Sequence, residues 1–106
     1  MVKLYRRMRG LVKQELELAN KDNGDHFNSS HEAYGVIAEE NTEAWDESID
    51  THQKVDDLLG AIRRNDRGAI LEAAKEIERK ATLAACEYAQ VAAMARKLRE
   101  SERVKK

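Results

Sequence analysis

Two groups of side chains in this sequence could do chemistry, and both are carboxylates on segments of helical character. The first is Glu39, Glu40 and Glu43, with Glu47 extending the row. Positions three and four apart share one side of a helix, so Glu40 can converge with Glu43 on one ion, and Glu39 can join through its i, i+4 relation to Glu43. Like charges at this spacing destabilise an isolated helix, so the row needs either a compensating cation or water around it. Hard carboxylate oxygens of this kind suit Mg²⁺ or Mn²⁺. Taken by itself, the same row reads more readily as a solvated acidic face opposite the apolar stripe that contains Tyr34 and Trp45.

The second group is a single carboxylate in unusual surroundings. From Ala81 to Ala95 the only polar side chains are Thr82, Glu87 and Gln90. A helix that is apolar on every side is expected to be buried on every side, at the centre of a bundle, in an oligomer interface, or both. A buried carboxylate without a partner is costly, or its pKa shifts strongly. Glu87 therefore calls for a metal ion, a Lys or an Arg beside it, unless it lies at a wet edge. The histidines add little: His26 and His52 fall in loop or helix-end contexts, and His31 lies in the first turn of a helix, where it could line a site. The sequence has no glycine-rich phosphate loop, no cysteine pair for zinc and no nucleophile–base spacing above chance.

The elements that must position these residues are helices. The chain has 106 residues and no proline, and its helix-forming composition implies one all-α domain over 1–106. The expected architecture is a bundle of three to five helices, completed by oligomerisation. A first helix, inside residues 1–20, carries Leu4, Met8, Leu11, Val12, Leu16 and Ala19 at helical spacing. Asn20 to Asn28 reads as a loop. Ser29 with Glu32 forms a capping-box pattern, so the second helix is expected to start at Ser29 or Ser30. Its expected core stripe is Tyr34, Ile37, Ala38, Ala44, Trp45 and Ile49, and Gly35 marks a weak point or a close backbone approach. This helix either stops near Asp50 or bends and continues through Ile62. A last helix is expected from about Ala69 to near Arg99, followed by a frayed basic tail over 100–106.

Charge is unevenly distributed. The net charge is −1, which gives no bias toward nucleic acid or anionic lipid. Between Asp22 and Gln53, however, there is no Lys or Arg, whereas Lys3 to Lys13, Arg63 to Arg67 and Arg96 to Lys106 are basic. Either an acidic site receives basic groups by folding, or acidic and basic faces attract across a bundle or dimer. Cys86 is single, lies among alanines and reads as a small buried hydrophobe. With no apolar run of membrane-spanning length and no signal-peptide core, a cytoplasmic location is expected, with no membrane and no nucleic acid as partners.

Glu-Glu-Asn-Thr-Glu at 39–43 is similar to the Glu-Glu-x-x-Glu motif of the MazG-like all-α nucleotide pyrophosphohydrolases. Glu87-Tyr88-Ala89-Gln90 resembles their second motif, Glu-x-x-Asp. Phe27 to Asp46 together with Ala81 to Lys97 looks like the short members found in phage and prophage contexts, and the likeness covers about half of the chain. The resemblance implies a homodimer or homotetramer that binds Mg²⁺ and hydrolyses a nucleoside triphosphate to the monophosphate and pyrophosphate. It implies Glu40, Glu43, Glu87 and Gln90 as metal ligands, Glu39 and Glu43 as catalytic carboxylates, and Lys80, Arg96 or Lys97 as contacts to substrate phosphate. Two features depart from the family pattern. Gln90 stands where the family has Asp, which removes one negative charge, and the gap between the motifs is longer than usual. The rival expectation is a catalytically inactive helical binding or assembly module with a degenerate metal site.

Overall fold

A computed structural model describes residues 1–104, and these form three α-helices joined by short connections. The all-α expectation holds, at the low end of the helix count. Helix α1 spans Val2–Asn23, α2 spans Ser30–Arg63 and α3 spans Arg67–Val104.

The helix boundaries follow local chemistry. Helix α1 runs past the expected stop at Ala19 and ends at Gly24, whose φ of 81° suits only a residue without a Cβ and whose N–H donates to the Asn20 carbonyl. The Ser29 hydroxyl accepts a hydrogen bond from the Glu32 N–H at 3.1 Å, as the capping pattern predicts, and α2 begins at Ser30. Helix α2 does not stop near Asp50 but continues to Arg63. The turn into α3 uses Asn65 in the left-handed region, φ 52°, and Asp66 as N-cap, with its Oδ1 accepting from the Ala69 N–H at 3.0 Å. Helix α3 is regular through Arg99 and on to Val104, where fraying was expected; Lys105 and Lys106, the end of the expected basic tail, lie outside the described residues.

The chain sorts into two compact units, divided within unbroken helices. The first consists of Met1–Asn41 and the chain from Tyr88 on. Its core is Leu16, Phe27, Ala33, Ala93 and Met94, with Val12, Val36, Ile37 and Leu98 packed against it. The connection before α2 is tied into this core: the Phe27 N–H donates to the buried Ser101 hydroxyl at 2.8 Å, and that hydroxyl donates to the Lys97 carbonyl at 2.8 Å.

The second unit, Thr42–Glu87, is an antiparallel hairpin made from the rest of α2 and the start of α3. Its buried apolar side chains are alanines: Ala44, Ala61, Ala73 and Ala84. Small residues let the two helices approach closely; Leu58, Ile70 and Ile77 are half-buried at the sides, and Val55, Leu59, Ile62, Leu71 and Leu83 are exposed. Trp45 and Ile49, placed in the core stripe by periodicity, are exposed, and so is Tyr34 in the first unit. The physical reason is that a helix with a neighbour on one side buries one face. On α2 that face contains Ala33 and Ala44, and Tyr34, Trp45 and Ile49 lie round the helix from it. The segment from Ala81 to Ala95 is likewise buried on one side only, at Ala84, Ala89, Ala93 and Met94, while Ala81, Ala85, Ala92 and Ala95 are exposed. Cys86, expected to be buried, is exposed. Gly35 has no neighbour within 4 Å of where a Cβ would sit, so it marks no close approach.

Candidate metal centre

Glu43 and Glu87 belong to the hairpin unit and face each other from α2 and α3. Glu40 precedes Glu43 by one turn of the same unbroken helix, so its place relative to Glu43 follows from helix geometry. A carboxylate oxygen of Glu43 and one of Glu87 lie within 4.8 Å of each other, and Glu40 shares the side of α2 that carries Glu43. Oxygens about 2.1 Å from a Mg²⁺ ion are at most about 4.2 Å apart, so small side-chain adjustments would close this group on one ion. The donor set, three hard anionic oxygens, fits Mg²⁺ or Mn²⁺. Glu40 and Glu87 are half-buried and Glu43 is exposed, which leaves one side open to a water or a ligand.

Among the described residues no Lys or Arg forms an ion pair with Glu87. Its neighbour is another acid. Burial raises its pKa above the ordinary value first, and the charge of Glu43, the hydrogen bond to Glu43 and the charge of Glu47 raise it further. Glu47 is drawn to a cation instead: the Lys80 ammonium lies 3.5 Å from Glu47 Oε2 and 3.0 Å from Asp50 Oδ2. The hydrogen bond to Asp50 is the main reason the Lys80 pKa is raised.

The other sequence-predicted residues have their own partners. Glu39 is exposed on α2. The Gln90 side-chain amide donates to Glu15 Oε2 at 2.6 Å, within the first unit; its carbonyl oxygen is the atom a metal would take. Of the three basic residues assigned to phosphate, Lys80 bridges the two carboxylates above and Arg96 is 3.1 Å from Glu100. Lys97 is buried, with its ammonium 4.8 Å from the centroid of the Phe27 ring. Sequence reasoning missed Glu15 as the partner of Gln90. The signal was a carboxylate directly before Leu16, on the inward apolar arc of α1.

Compared with known proteins, the chain matches no family model, no curated protein and no solved structure.

Proposed function

We propose that this chain is a Mg²⁺-dependent nucleoside triphosphate pyrophosphohydrolase of the MazG-like kind, working in the cytoplasm as a homodimer or homotetramer. The observation that supports the reading is the meeting of Glu43, from the Glu-Glu-x-x-Glu stretch that carries Glu40 one helical turn earlier, with Glu87, from the second stretch. A divalent ion held there would neutralise phosphate charge and acidify a bound water. Glu40, Glu43 and Glu87 would hold it with the Gln90 carbonyl, and Glu39 and Glu43 are the carboxylates available to take a proton. Self-association is supported by the hairpin's alanine interior and the large apolar side chains exposed on its outside.

A second reading, an inactive helical binding or assembly module, is favoured by one observation. Gln90 serves as a hydrogen-bond donor to Glu15, a structural use that needs no metal.

Thermal melting with and without Mg²⁺ or Mn²⁺ tests the site. A ligand at about a hundred times its Kd stabilises a protein by about 2.7 kcal/mol, and Glu40→Ala should abolish that shift. Pyrophosphate release from a panel of nucleoside triphosphates then separates the readings. A metal-dependent shift without release supports the inactive module, and neither shift nor release ends the enzymatic reading.

A further inference from the structure

The outward side of α1 carries a bare leucine row. Leu4, Leu11 and Leu18 follow one another at intervals of seven and are 57%, 48% and 56% exposed. The inward residues Val12, Leu16 and Ala19 are meanwhile packed in the first unit's core. A seven-residue spacing keeps side chains along one helix face, as in a seam that lies against another helix. Lys3 and Arg7 flank this row, and the chain has no acid before Glu15. Such a helix face fits a surface that is both acidic and apolar.

The chain itself carries a surface of that kind. Helix α2 has no Lys or Arg until Lys54. It exposes Tyr34 at 73%, Trp45 at 59% and Ile49 at 46%. Asp46 neighbours Ile49 at i, i+3, and Glu32 and Glu39, exposed and spaced by seven with it, continue its line along the helix.

We infer that α1 of one copy docks along this face of α2 of a second copy, and the reverse, so that two equivalent contacts join a two-fold pair. Pairing α1 with α1 would set cations against cations, and pairing α2 with α2 would set acids against acids. Docking α1 on α2 brings opposite charges together and covers the leucines and the aromatic row at once. An anionic lipid surface or a nucleic acid would answer the charge of α1 but leave Tyr34 and Trp45 bare. The inference rests on the self-association part of the proposed function.

The test is the mass of the full chain by light scattering and sedimentation over a concentration series, with circular dichroism to verify folding. Two variants are compared with the unaltered protein: one carries Lys3→Glu with Arg7→Glu, the other Glu32→Lys with Asp46→Lys. Each variant alone should associate about tenfold more weakly or worse, because both of its contacts now set like charges together. An equimolar mixture should regain association, because each contact in the mixed pair again has opposite signs. If the unaltered protein associates but the variants do as well, or if mixing restores nothing, the α1–α2 contact is wrong and self-association stands. A monomer at every concentration overturns both. A monomer that binds phosphatidylserine vesicles or duplex DNA through Lys3 and Arg7 assigns the face to that partner and overturns the inference.

Discussion

The carboxyl groups of Glu43 on α2 and Glu87 on α3 meet side chain to side chain, and burial together with the Glu43 charge makes ionisation of Glu87 less favourable. Below the ordinary Glu value of 4.5, Glu87 is protonated in both the folded and unfolded chain, and the stability from its raised pKa is fully present. Between that value and the raised folded pKa the native state binds more protons, so stability falls as pH rises. The metal-free melting temperature should therefore decline across that interval. Glu87→Gln keeps a hydrogen-bonding group, should flatten this part of the profile, and should melt above the unaltered protein near neutral pH. An unchanged profile would show that the pair does not control it.

Gln90 offers a sharper comparison, because the residue expected by the family resemblance would be unwelcome where Gln90 sits. Gln90→Asp would place a carboxylate against Glu15 and should lower the metal-free melting temperature, most at low salt. Glu15→Gln in the same chain should recover the loss. A double-mutant cycle should return a coupling of about 0.5–3 kcal/mol; additive effects would mean the two side chains are independent in solution.

Ser101→Ala should cost about 1–3 kcal/mol in urea unfolding, because the Phe27 N–H loses its acceptor inside the core. Arg103→Ala, two residues away and exposed, should stay within about 0.5 kcal/mol. Equal effects would mean that the hydroxyl contributes nothing specific.

Packing predicts a contrast between neighbours on α3. Ala93 has no exposed surface, so Ala93→Leu should cost about 1–3 kcal/mol through overpacking. Ala92 faces outward, and Ala92→Leu should change the stability of the isolated chain by about 0.5 kcal/mol or less. Urea midpoints of the two variants at low protein concentration decide the matter.

The sequence reveals those parts of the fold that depend on neighbours along the chain. Helix type, the Ser29 cap and the inward row of α1 are set by local spacing, and the approach of Glu40 to Glu43 is a consequence of one helical turn. What periodicity could not reveal is which of two apolar faces a long helix turns to its partner within the chain. Tyr34 and Trp45 form as regular a stripe as Ala33 and Ala44, and size decided between them, because close packing of two helices favours alanine. The ends of the elements were obscure for a different reason. Ser101 lies in a polar stretch that looks frayed until the Phe27 N–H, 74 positions away, is brought to its hydroxyl. The pairing of Gln90 with Glu15 is also a long-range event, visible beforehand only as a misplaced charge.

The first unit is assembled from both sides of the second, and this bears on how the protein comes off the ribosome. Thr42–Glu87 is one continuous stretch of chain, so the hairpin has all of its residues before the first unit has its own. Leu16, Phe27 and Ala33 must wait for Ala93 and Met94, and the Phe27 amide waits longer still, for Ser101. Through that interval the emerging amino-terminal helices carry an uncovered greasy surface, the kind of nascent segment that chaperones shield and that crowded polysomes put at risk of tangling.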